Sequence, residues 1–316
     1  MSVITVTLNP AIDETVVLET LRPGHVHRAS AVSFHAGGKG VNVASCLADY
    51  GVKATATGIL GAENAMVFES LFATKGIADK FIRVPGATRT NIKLSHDGDT
   101  TDINLPGLVI DDATTGKLRE EIFEIATGKS LVLLAGSVPA GISEIIYAEL
   151  TEALNAVGAR VLLDTSGAPL TAALNAKHVP YCIKPNRDEL EAFCHRALPA
   201  RDDLITVARE LTARGIALVV VSLGAEGSLY VSGDKVLHAS LPAVRAASTV
   251  GAGDAMVAGM IAALQSGASL EGIARLATAF ATAKLMQPGP NLPGRETVNQ
   301  LAEQVKIIAL EEGAKT

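Results

Sequence analysis

The stretch "FHAGGKGVNVASCLADYG", Phe34 to Gly51, sets Gly37, Gly38, Lys39 and Gly40 directly before an apolar helical pattern, with Asn42 near its entrance. Bare backbone and one positive charge at a helix mouth suit an anion, because the first N–H groups of a helix are unpaired and its dipole is positive there. A tight turn with close packing would use the same residues. The choice between them rests on the rest of the chain.

Outward from this helix, short β-branched runs alternate with helical patterns. "VITVTLN", "ATATGIL", "FIRV", "LVLLAG", "RVLLD", "YCIK" and "LVVVSLG" read as strands, and several are apolar throughout, as strands covered on both faces are. Residues 65–75, 143–157 and 202–214 have helical period between them. The alternation predicts an α/β fold with a mostly parallel central sheet in a three-layer arrangement. Two segments break the rhythm. Residues 13–34 and 88–104 alternate polar and apolar with period two, and the second contains "SHDGD". They are expected to form a small accessory sheet, a lid beside the site whose open face suits dimerisation; edge strands of the main sheet are the alternative. "SLYVSGDKVLHAS" reads as a hairpin. No repeat or linker is visible, so the whole chain, 1–316, is read as one domain.

The second glycine-rich helix start is "STVGAGDAMVAGMIAALQSG". Gly251, Ala252 and Gly253 offer successive backbone N–H groups, and Asp254 stands beside them in the first turn. Asp there favours the helix dipole in any protein. Next to an anion cradle, though, a carboxylate is an odd neighbour unless it takes a proton from a group attacking that anion. That pairing suits phosphoryl transfer. Met256 occupies the third-glycine position of a dinucleotide motif, and "TGKS" at 127–130 lacks the earlier glycine of a P-loop.

Composition narrows the classes. The chain has 316 residues, 48% hydrophobic and 19% charged, enough for a substantial core. Its net charge of −6 argues against nucleic acid as a partner. No apolar run is long enough for a membrane span, and no signal peptide is visible. The three cysteines, Cys46, Cys182 and Cys194, match neither zinc nor disulfide spacing and read as buried apolar residues; a reducing cytoplasm is the expected location.

The two glycine-rich helix starts, in this order and this far apart, resemble the ribokinase-like (PfkB) family of sugar kinases. "GGKGVNVASCLADYGVKATATGILG", with Asn42, Gly51 and Gly61, matches its N-terminal signature, and "STVGAGDAM" its C-terminal one. "KPNRDE" matches its N-x-x-E motif and "VSLGAEG" its nucleotide loop. The resemblance covers nearly the whole chain. "TLNPAID", "TRTNIK", "INLPG" and "GSVP" look like the bacterial branch whose substrates already carry a phosphate, fructose 1-phosphate foremost, with tagatose 6-phosphate or fructose 6-phosphate as alternatives.

This resemblance implies ATP and Mg²⁺ as cofactors and the following roles. Asp254 is the general base, and Gly251, Ala252 and Gly253 form the anion hole. Asp13, Gly37, Gly38 and Asn42 line the sugar, with Asn91 and Ser137. Lys39 and Arg89 meet the substrate's phosphate, and Lys93 is either a third contact or a solvated lid residue. Lys184 approaches the ATP phosphates, and Asn186 and Glu189 hold Mg²⁺ through water. Ser222, Gly224 and Gly227 line the nucleotide groove. Ser248 replaces an Asp that other branches associate with monovalent cations, so potassium is not expected. His25, His27 and His35 are read as ordinary exposed or hinge residues.

Overall fold

The computed structural model describes residues 1–242, 251–287 and 289–310; Ser248 lies outside them. In chain order the elements are β1 (Ser2–Thr7), β2 (Ala11–Val17), β3 (Ala31–Gly37), α1 (Lys39–Asp49), β4 (Thr55–Gly61), α2 (Met66–Lys75), β5 (Ala78–Asp79), β6 (Ile82–Val84), β7 (Thr90–His96) and β8 (Asp99–Asn104). There follow α3 (Asp112–Ile125), β9 (Ser130–Ala135), α4 (Ile146–Ala156), β10 (Arg160–Asp164), α5 (Gly167–Asn175), β11 (Cys182–Ile183), α6 (Arg187–Cys194), α7 (Arg201–Ala213) and β12 (Leu218–Ser222). The chain closes with β13 (Ser228–Ser232), β14 (Lys235–Ser240), α8 (Ala252–Gln265), α9 (Leu270–Lys284), α10 (Arg295–Gln304) and β15 (Lys306–Ala309).

Among the described residues, eleven strands form the main sheet in the order β15-β14-β13-β12-β11-β10-β9-β1-β4-β5, with β6 also on β4. From β12 through β4 every pairing is parallel; β13, β14 and β15 add an antiparallel edge. The apolar runs explain why. In β9, Leu131 and Leu133 pack with α1, α2, α8, α9 and α10, while Val132 and Leu134 pack with α3, α4, α5, α6 and α7 on the other side. β12 divides in the same way, Leu218 and Val220 against Val219 and Val221. Strand alternation therefore sends apolar side chains both ways, and each face needs its own helical layer. Each buried Leu or Val contributes roughly 1.5–3 kcal/mol. The expected three-layer α/β architecture is present.

The second, smaller sheet is β3-β2-β7-β8. β2 pairs antiparallel with β3 and parallel with β7, joining the two segments that broke the alternation. Residues 18–30 form no strand, so the first segment is two strands and a connecting loop rather than continuous β structure across 13–34. Pro23 and Gly24 in that loop fit this outcome. One face of the sheet carries Asp13, His35, Asn91 and Lys93; the other carries Val16, Val32, Phe34, Ile92 and Ile103. Cys46 and Cys182 are buried as expected, but Cys194 is only partly buried, and all three are free.

Candidate active site

The C-terminal ends of β1, β9, β10 and β11 lie together at one end of the main sheet, the end at which open parallel sheets bind ligands in a cleft. The Gly37–Gly38 turn lies between β3 and α1. Gly38 caps α1 at φ 110°, and a Cβ there would lie 2.9 Å from Thr7 Cγ2 and 3.0 Å from Pro10 Cα. A Cβ on Gly37 would come 2.6 Å from Asp13 Oδ2. Bare backbone thus serves close packing, and it also leaves the Asp13 carboxylate standing against the turn.

Around Asp13 the small sheet gathers its polar residues. Asn91 Nδ2 donates to Asp13 Oδ1 at 3.2 Å, and His35 lies across the β2–β3 pairing. Burial raises the Asp13 pKa, against the charges of Lys93, His35 and Arg89 and the Asn91 hydrogen bond. Lys93 is itself paired with Asp102 at 3.2 Å. Arg89 donates to the carbonyls of Asn9 (3.3 Å) and Pro10 (3.4 Å), and Asn9 Nδ2 donates to Ser137 Oγ at 3.0 Å. Arg89, Asn9 and Ser137 therefore form one string along the rim.

The deeper end is built on α8. Gly251 caps it in the left-handed region, φ 84°, and the first turn carries Asp254. Asn42 Nδ2 donates to Asp254 Oδ2 at 2.8 Å, which ties the two glycine-rich helix starts together across 212 residues. Burial pushes the Asp254 carboxyl up to about 6; Asp164 adds to this, while Lys39, Lys184 and the Asn42 hydrogen bond oppose it. Lys39 Nζ sits 3.0 Å from Asp164 Oδ2, and Lys184 Nζ sits 3.5 Å from Asp164 Oδ1. Burial works against ionising Asp164, yet the two lysines hold its carboxyl below the ordinary value. Burial likewise works against the Lys39 ammonium, but Asp164 and Asp254 keep it charged well above the usual lysine range. Lys184 Nζ also comes within 3.6 Å of where a Cβ on Gly253 would stand.

Three residues make contacts within the protein that their sequence reading did not give them. Lys39 was expected at a substrate's phosphate beside Arg89; its ammonium is instead committed to Asp164, close to Asp254. The cause is that α1 begins at Lys39, so its side chain reaches across the sheet ends to β10 rather than out to the small sheet. Asn186 and Glu189, read as metal ligands, form a reciprocal capping box on α6: Asn186 Oδ1 accepts from Glu189 N (2.8 Å) and Glu189 Oε2 accepts from Asn186 N (2.9 Å). Glu189 is still near enough for its charge to act on Lys39.

Ser222 pairs with Asn186 in an isolated parallel bridge, and its N–H donates to Pro185 O at 3.0 Å. The Gly224–Glu226 turn follows it and leads into Gly227. This loop lies beside the Lys184–Glu189 segment. Sequence reasoning missed Asp164 and Asn9. A carboxylate ending an otherwise apolar parallel strand was the available signal for Asp164; Asn9 lay within a quoted motif but was given no role.

The model of the pfkB family of carbohydrate kinases matches residues 6–297. A 1-phosphofructokinase from Xanthomonas campestris is 52% identical over 315 residues, covering 98% of this chain and 99% of that protein. A 1-phosphofructokinase from Rhodobacter capsulatus is 45% identical, covering 98% of each chain. Phosphofructokinase-2 from Escherichia coli, solved with substrates and products, superposes with a TM-score of 0.90 at 30% identity, covering 96% of this chain and 99% of that one. The same protein, solved in a tetrameric inhibited form, gives a TM-score of 0.87 at 30% identity over 96% of this chain and 98% of that one.

Proposed function

Since this chain belongs to the pfkB family of carbohydrate kinases, we propose that its cleft transfers the γ-phosphoryl group of ATP to the 6-hydroxyl of fructose 1-phosphate, giving fructose 1,6-bisphosphate. The observation that carries the reading is the Asp254 carboxylate at the entrance of α8, held by Asn42 and flanked by Lys39, Lys184 and Asp164. An ionised Asp254 takes the proton of the sugar hydroxyl as its oxygen attacks. The N–H groups of Gly251–Gly253 and the two lysines meet the charge that develops on the transferring group. Asp164 keeps both ammonium groups at that spot.

The sugar lies between Asp13, Asn91, Gly37, Gly38 and Asn42. Its own phosphate goes to Arg89, whose planar fork suits phosphate oxygens and whose two carbonyl contacts in the protein are long. Lys39 is reassigned from that phosphate to the transferring group. Ser222, Gly224 and Gly227 line the nucleotide, with the small sheet as lid over the sugar.

Mg²⁺ fits the Glu189 side of the cleft, where hard carboxylate oxygen is on offer and the Asn186 amide is near; bound there with much of its water, it would neutralise phosphate charge. We further infer a homodimer through the apolar face of the small sheet, where Phe34 is 56%, Val32 49% and Ile103 44% exposed.

The reading is tested by ADP release with Mg·ATP against fructose 1-phosphate, fructose 6-phosphate and tagatose 6-phosphate. A kcat/KM preference of at least about tenfold for fructose 1-phosphate is expected. Preference for a 6-phosphate would keep the phosphoryl-transfer assignment and overturn the substrate.

A further inference from the structure

Lys284 is a buried cation that the reaction as derived leaves unused. It stands in the last turn of α9 and is 3% exposed. Nζ donates to the Gln287 carbonyl at 3.0 Å and enters no ion pair among the described residues. Lysines almost never occur so deep without a carboxylate, because burying an uncompensated ammonium is costly. A methionine would fill the same volume without that cost.

Its place is set by the packing of α8 on α9. Gly259 lets the two helices approach closely: a Cβ there would lie 2.7 Å from Ala277 Cα. The entrance of α8 consequently lies beside the exit of α9, and Lys284 Cε comes within 3.2 Å of where a Cβ on Gly251 would stand. The carbonyl end of a helix is negative and repels an anion held at its neighbour's entrance. Lys284 occupies that junction. Burial lowers its pKa, while the charge of Asp254 opposes the shift.

We propose that Lys284 is a positioning residue for phosphoryl transfer, whose buried ammonium cancels the negative end of α9 and sets the potential of the Gly251–Gly253 turn. This rests on the kinase reading above. Alone, a lysine at a helix exit would only steady that helix, which predicts lost stability and unchanged chemistry. A role in transfer predicts a change at Asp254 as well. The groups facing Asp254 are Asn42 and Lys39 from α1, Asp164 from β10, Lys184 after β11 and Lys284 from α9. Removing one positive charge from this set raises the Asp254 pKa.

The experiment uses the full-length protein and Lys284→Met. Turnover is measured against pH, and binding of ADP with aluminium fluoride, a mimic of the transferring group, is compared with ADP alone. Expected are a fall in kcat of about tenfold or more, sugar-phosphate KM within about twofold, and an acidic limb moved to higher pH. Affinity for ADP·aluminium fluoride should fall about tenfold while that for ADP holds. A variant within about twofold of wild-type kcat, with an unmoved acidic limb, overturns the proposal. Should Lys284→Met not fold, Lys284→Ala is assayed in ammonium chloride against choline chloride. Saturable recovery by ammonium supports the proposal and none overturns it. Wild-type protein that turns over no phosphosugar and ignores ADP·aluminium fluoride overturns the kinase reading, whereas active wild type with an equally active variant overturns only the role of Lys284.

Discussion

Asp254 is pulled in two directions. Catalysis needs its carboxylate ionised, and burial holds its pKa up at about 6. Proton removal by a positioned base contributes roughly 10²–10⁴-fold, so Asp254→Asn should lose about that much kcat with sugar-phosphate binding kept. In the wild-type protein, kcat should fall as pH drops through about 6, the value at which burial lets Asp254 take up its proton. Stability moves the other way. The folded carboxyl binds its proton more tightly than the unfolded one, so the native state loses stability as pH rises from about 4 to about 6 and gains nothing back above it. Asp254→Asn should accordingly be more stable than wild type at pH 8, on the order of 1–3 kcal/mol, with the difference vanishing near pH 4 in paired thermal melts. An Asn variant that is less stable at pH 8 would contradict the burial argument. Asp254 and Asn42 stood out in the sequence because each opens a glycine-marked helix. Asp164 did not, because the lysines that give it meaning come from residues 39 and 184, brought to it only by the sheet.

The turn at Gly37–Gly38 connects β3 to α1 without a spare residue, and its two tasks coincide. Gly38 carries φ 110°, and any side chain there meets Thr7 and Pro10 at the end of β1. Gly38→Ala is therefore expected to lower stability by about 1–3 kcal/mol from strain alone, seen as a drop in Tm, and to raise sugar-phosphate KM because α1 and Asn42 shift with it. An unchanged Tm would mean that the β1–α1 junction yields more readily than this packing implies. Elements of this kind were readable from pattern: the parallel strands are apolar on both faces, and the period-two segments are polar on one. Residues 18–30 were not, since alternation by chance in a loop looks the same as alternation in a strand. The N-x-x-E segment hid a different ambiguity. Asn followed three residues later by Glu is the signature of a helix cap as well as of a ligand pair, and here the capping bonds are made.

For the molecule as a whole, the small sheet leaves one apolar face uncovered, with Phe34, Val32 and Ile103 all more than a third exposed. A second copy of that sheet would bury it, and Phe34→Asp should then convert the dimer to a monomer in light scattering, with sugar-phosphate affinity reduced because the opposite face of the same strands carries Asp13 and Asn91. A wild-type monomer at micromolar concentration would rule the interface out. The order of the main sheet has a consequence for synthesis. β1, the first strand made, is an interior strand of the sheet, between β9 and β4. β4 emerges from the ribosome soon after it, but β9 begins at residue 130. Until then the nascent chain carries an apolar strand with one row of backbone groups unpaired. An interior strand of the finished enzyme is thus, during translation, an exposed edge, and a stall before residue 130 should leave a chain that sticks to chaperones or to its own kind.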